Sequence, residues 1–358
     1  MKNQQAMNYS RLMAILVSVL FIRASCAAYT DEPLKRVECT VEIMPNYIWH
    51  LFAISNLWDN DNSPYGEGYG YSVPAEDISF LHHNREYIIW GHGRAAEFTR
   101  LLFFIPFSHE ISPDEYFAYL DNIEKAARDG DWLSFLEKYC PQCIDANISF
   151  EFNDEQITIF RGIADIIKSN YSLYRDEIWG DIEKYLEKEK DRIDSAFHDQ
   201  DIINSWEMAL VMEYPGEGFY PVLTYANGVD NLPSANNLSD SRNNFGVPEN
   251  STQYNIDLII HEIGVFALMP VIRSLFADDS LQTKFIQENG ITYQAIESFI
   301  EYKKVAITGS RKIWEGELFG GGTFNFPWFF RFYEQNEDNY DSRDLIYNAI
   351  LEYEKENN

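Results

Sequence analysis

The residue types best suited to chemistry are concentrated in one apolar stretch, Ile260-His261-Glu262-Ile263-Gly264-Val265. Zinc peptidases carry H-E-x-x-H on a helix. The two histidines, one turn apart, bind the metal, and the glutamate polarises the attacking water as general base. Here His261 and Glu262 fill the first two positions, and Val265 stands where the second histidine would fall. A His-Glu dipeptide alone specifies little, but its apolar surroundings add weight. An uncompensated charge on a buried helix is costly, so Glu262 must face a metal, a hydrogen-bond donor or an internal cation. The plain alternative makes His261 and Glu262 satisfied polar residues of the core. Asp257 lies four residues before His261, one turn away on the same face. It could orient the imidazole or act as a substitute ligand, although from the side of His261 opposite to Val265.

Other reactive groups carry less. Cys140-Pro-Gln-Cys143 is a C-x-x-C that follows a helical stretch rather than entering one. That context argues against a redox motif, and no second pair completes a four-cysteine zinc knuckle. A local disulfide, or a bridge from one of the two to Cys39, is the expected state. His82, His83 and His92 are too poorly aligned to share a metal: adjacent residues point to opposite faces of a strand and diverge by about 100° on a helix. Gly320-Gly321-Gly322 lacks the Lys-Ser/Thr of a phosphate loop and reads as a tight turn. No G-x-S-x-G is present.

The elements that must position these residues are mostly helical. Apolar spacing predicts helices over about 41–58, 86–104, 113–129, 130–139, 152–169 and 173–200. Residues 219–225 read as a strand rich in aromatic and β-branched residues, with Pro221 suggesting an edge. A polar loop follows over 226–254. The His-Glu helix is expected over 256–268, capped by Asn255 and stopped at Pro270. A second helix runs over 293–307 behind Thr292 and ends at Gly309. An aromatic helix over 327–333 and a closing helix over 343–353 complete the chain.

His261 to Pro270 (HEIGVFALMP) resembles the H-E-F-x-H-x-F-x-N-P helix of a family of exported, uncharacterised proteins with a gluzincin-like domain. Glu301 to Ile307 (EYKKVAI) is similar to that family's E-x-x-V-R-A-I helix. The resemblance spans most of the mature chain, although its sharp motifs are two short ones. It implies a zincin-like core in which His261 and Glu301 are the first and third zinc ligands and Glu262 is the general base. The strand at 219–225 would then pair with an extended peptide. The departures are Val265 for histidine, Met269 for asparagine and Lys304 for arginine. With Val265 in the ligand position, zinc is expected to be absent or weakly held, because catalytic zinc sites keep three protein ligands.

The 358 residues carry 28 Lys and Arg against 57 Asp and Glu, a net charge of −29. That balance excludes a role based on wrapping phosphates, so no nucleic-acid partner is expected. Lys2 and Arg11 precede an apolar run of 11 residues, Leu12 to Ile22, and the small residues Ala24-Ser25-Cys26-Ala27-Ala28 follow. This is the pattern of a secretory signal peptide over 1–28, too short to span a bilayer comfortably. Arg23 argues against lipidation at Cys26. No further membrane span is expected. Removing 1–28 would leave 25 − 57 = −32. N-x-S/T sequons occur at Asn147, Asn170, Asn237 and Asn250.

The expected architecture is α+β and predominantly helical. A helical region over 29–205 packs on a zincin-like core over 206–310, and an aromatic, helical segment over 311–358 closes the chain. The expected function is an exported metallopeptidase-like protein, secreted or periplasmic, with a degenerate zinc site. It would be inactive or weakly active, with binding of peptide or protein retained. The rivals are an active zinc hydrolase using Asp257 and a non-catalytic structural protein.

Overall fold

The computed structural model describes residues 35–357 except 56, 58–72, 89–96, 146–149, 227–234, 240, 248–250, 278–280, 282–289 and 310–325. The leader over 1–28 with Cys26, His92, the sequons at Asn147 and Asn250, and Gly320–Gly322 lie outside the described residues.

The chain is predominantly helical α+β with a small sheet. Two short strands, β1 (Arg36–Val37) and β2 (Thr40–Val41), lead into helix α1 (Ile43–Ile54). Helices α2 (Ala75–His83), α3 (Pro113–Asp129), α4 (Trp132–Tyr139), α5 (Asp154–Tyr174), α6 (Gly180–Phe197) and α7 (Ile202–Leu210) follow. Then come β3 (Gly218–Thr224), β4 (Ala235–Ser239) and β5 (Arg242–Gly246). The last helices are α8 (Thr252–Leu275), α9 (Ile291–Thr308), α10 (Phe326–Asn336) and α11 (Ser342–Asn357). Local chemistry explains the sharpest boundaries. Ser112 and Glu115 form a capping box that opens α3, and Gly130, at φ 70°, closes it in the left-handed conformation.

Strand order is β1-β3-β5-β4, with β2 also on β3. The strand read as an edge is therefore the centre of the sheet, parallel to β1 and β2 on one side and to β5 on the other. Pro221 is tolerated there for a specific reason. Tyr220 N–H donates to Ser241, so alternate residues of β3 turn to β5, and Pro221 turns to the other side. There β1 pairs up to Phe219 and β2 begins at Val222, so the missing N–H falls in the break between the two strands. Among the described residues the antiparallel edge is β4, paired with β5. Both strands lie in the stretch expected to be loop.

Helix α8 also departs from expectation. It begins behind Ser251 and continues through Pro270 to Leu275. Asn255 lies inside it, its side-chain amide donating to Ser251 Oγ at 2.8 Å. The missing N–H of Pro270 interrupts one helical hydrogen bond, but packing of Val271, Ile272 and Leu275 carries the helix onward. At this length α8 is long and apolar enough to cross a membrane, a property the shorter expected helix lacked. In this fold it is a core helix packed against α6, α7, α9 and α11.

Gly264 sets how closely α7 approaches: a Cβ there would stand 2.5 Å from the Trp206 ring. Trp206 Nε1 donates to the Ile260 carbonyl at 2.9 Å. Helix α9 begins at Ile291 behind Gly290, two residues earlier than expected, which places Thr292 inside it, and Gly309 (φ 69°) ends it.

Cys140 and Cys143 are disulfide-bonded to each other, and Cys39 is a buried free thiol. The Asn170 side chain is buried and donates to Asp77 and to the Ile166 carbonyl, so this sequon offers no exposed amide.

Candidate functional site

The packing of α8 on α9 brings His261 and Glu301 together, as the sequence suggested. The imidazole Nδ1 lies 2.6 Å from Glu301 Oε1. The other nitrogen, Nε2, lies 3.0 Å from Glu297 Oε2. Glu297 stands one turn before Glu301, so both carboxylates project from the same face of α9. The ring is thus held from both ends. His261, Glu297 and Glu301 are all buried. Lys304, also buried, places its ammonium 3.0 Å from the Glu301 oxygen that meets His261.

Electrostatics follow from this geometry. Burial opposes charge on the imidazole, but the hydrogen bonds and charges of Glu297 and Glu301 outweigh it and lift His261 to about 10. At neutral pH this favours an imidazolium, its Nδ1–H donating to Glu301 and its Nε2 facing Glu297 at ion-pair distance. Burial would raise the Glu301 carboxyl, yet its bonds to His261 and Lys304 hold it below the ordinary range. Lys304 is pushed down by burial, partly offset by Glu301.

Glu262 points elsewhere. Its Oε2 accepts from Asn243 Nδ2 of β5 at 2.8 Å. Burial, reinforced by the charge of Glu297 and opposed by His261 and Asn243, lifts its carboxyl to about 7. Tyr293, two turns before Glu301 on α9, feels both carboxylates, since burial and the charges of Glu297 and Glu262 raise its phenol. Val265 is half-buried and packs against the core. Asp257 makes no bond to His261, though its charge acts on Lys304. It is half-buried, accepts weakly from Gln253 at 3.5 Å and lines an open polar pocket with Asp201 and Thr308.

No family model matches this chain, and no curated protein or solved structure matches it either. The site must be read from its own atoms.

A metal-binding histidine donates its second ring N–H to a carboxylate, which fixes the ring. Glu301 occupies that supporting place at Nδ1. The nitrogen left for a metal is Nε2, and the carboxylate beside it is Glu297, not Glu301. Val265 contributes no donor atom. Two donors fall short of the three that catalytic zinc keeps. Among the described residues no group of three His, Cys, Asp or Glu side chains is placed to hold a metal. The donor set therefore does not fit catalytic zinc. It does satisfy a proton: an imidazolium between two carboxylates needs no further cation.

Glu297, Asn243 and Tyr293 were missed from sequence. Glu297 had a usable signal, its spacing of four from Glu301. Asn243 had none, because its role depends on β5 reaching α8 from within an Asn-rich stretch.

Proposed function

We propose that this chain is an exported, gluzincin-like scaffold in which a protonated histidine takes the place of the catalytic metal. On this reading it is inactive as a zinc peptidase and has kept a role in binding peptide or protein. The observation that carries it is the double clamp on His261: Nδ1 on Glu301 at 2.6 Å, Nε2 on Glu297 at 3.0 Å, with Val265 in the vacant ligand position. An imidazolium has no lone pair for a metal and cannot act as a base. Glu262 is the one member of the cluster whose carboxyl is lifted to about 7, close to neutral pH. The peptide would pair with β4, which among the described residues pairs only with β5, the strand that supplies Asn243.

Metal analysis of the purified chain tests this. The wild type should carry no stoichiometric zinc, and Val265→His should gain it. In that variant Glu297→Gln should abolish zinc binding, whereas Glu301→Gln should weaken it about 10–100-fold, the usual effect of losing a supporting carboxylate. Stoichiometric zinc in the wild type, lost on His261→Ala, would overturn the proposal.

A further inference from the structure

The charges around Glu262 do not balance. His261 spans Glu297 and Glu301, Lys304 meets Glu301, and Asp257 acts on Lys304. With Glu262 added, four carboxylates stand against two cations. Glu262 forms no ion pair among the described residues, and its hydrogen bond comes from a neutral amide, Asn243 Nδ2. The other end of that amide is the sharper observation. Asn243 is 1% exposed, and its Oδ1 is buried with no hydrogen-bond partner among the described residues. A buried acceptor costs free energy unless a donor reaches it. Nδ2 and Oδ1 share one small planar group, so the orphaned oxygen adjoins the carboxylate that the nitrogen holds. The pair presents two acceptors, one of them charged, and the matching donor is a cation.

The surroundings narrow that cation. Glu262 is half-buried and so within reach from solvent. Val265 and Met269, three and seven residues further on, are half-buried on the same face of α8 and flank the carboxylate with apolar surface. A peptide paired with β4 would lie two strand spacings from β5, about 10 Å. The terminal amine of a peptide so paired stays with its backbone and cannot cross that span. A lysine side chain can reach towards it, because its four-carbon stem packs on apolar surface and carries the ammonium at its tip.

We infer that the Glu262–Asn243 pair binds the side-chain ammonium of a lysine in the docked peptide, with the lysine stem on Val265 and Met269; this rests on the peptide-binding reading above. The net charge of −29 also favours the approach of a basic peptide.

The test uses the full chain and a capped peptide of alternating threonine and valine with one central lysine. One control replaces lysine by norleucine, which keeps the stem and loses the ammonium. A second control carries norleucine and a free N-terminus. Affinity is read by fluorescence anisotropy at physiological salt. The wild type should bind the lysine peptide at least about tenfold more tightly than either control. Glu262→Gln should bring that ratio close to one, and Asn243→Ala should lower it at least about threefold. In both variants the affinity for the capped norleucine peptide should be unchanged, which a loss of folding would not allow. A lysine preference that survives both substitutions would overturn the inference, because overall charge would then account for it. Tight binding of the free N-terminus would also overturn it, by making the bound ammonium a terminal one. Equal binding of the two capped peptides by the wild type would overturn it while leaving docking on β4 intact. If none of the three peptides binds, the peptide-binding reading itself fails.

Discussion

Two buried ion clusters lie on opposite faces of β5, and they are built from different chemistry. On one face Arg242 Nη2 meets Glu42 at 2.6 Å and Nε donates to the Phe107 carbonyl. On the other, the neighbouring Asn243 holds Glu262, next in sequence to the clamped His261. The first cluster is closed by a guanidinium, which stays charged at any pH the protein meets. It ties the strand to the start of α1 and can do little else. The second is assembled from groups that exchange protons. Burial alone therefore does not mark a functional site; the capacity of the buried groups to change charge separates the two.

Removing one cation from each cluster breaks the comparison most directly. His261→Leu leaves two buried carboxylates without their shared donor and should cost about 5 kcal/mol in urea denaturation. Arg242→Met strands a single carboxylate and should cost about 3 kcal/mol. Adding Glu297→Gln to His261→Leu should restore part of the loss, because Glu301 keeps Lys304 at 3.0 Å. If that second change deepens the loss, the cluster is not held by charge balance.

Acidity sharpens the contrast. The Glu262 carboxyl is raised from 4.5 to about 7 on folding, so the folded state binds the extra proton. Its contribution is present below the unfolded value and is lost as pH rises through about 7. Stability should decline across that interval in the wild type, and Glu262→Gln should flatten the decline. The His261 contribution has the same sign but a different window. It is complete below 6.5 and fades as pH approaches about 10, a second decline that His261→Leu removes. The smallest effect belongs to Asn243→Ala, about 1 kcal/mol. Its amide nitrogen serves Glu262 while its oxygen is buried with no hydrogen-bond partner among the described residues, so truncation removes one hydrogen bond and one unmet acceptor. The same change should raise the Glu262 titration further, readable by carboxyl-carbon NMR.

The sequence made the helical elements legible where local signals were strong. The helix over 113–129 and the glycine end at Gly309 were read directly, whereas Gly130, read as the start of the next helix, closes α3 instead. The meeting of His261 and Glu301 was also anticipated, through motif resemblance. What failed was long-range. Pro221 was read as an edge signal, but its position depends on a break between two short strands far earlier in the chain. Residues 235–246 look like loop because Asn and Ser dominate, yet pairing with β3 makes β5 a fully buried strand. Pro270 should stop a helix by its own chemistry, and packing on several sides overrode it. At the site, spacing could have shown that Glu297 and Glu301 share a face, but not which nitrogen of His261 each would meet.

The contact between Gly264 and Trp206 has one more consequence. With the indole seated where any side chain would collide, α8 has a single permitted azimuth about its long axis. Position 265 can therefore be neither swung aside nor exchanged for a neighbour by motion of the backbone. On the reading proposed above, the capacity of this helix to take a metal would turn on position 265 alone, presented on an unmoved frame.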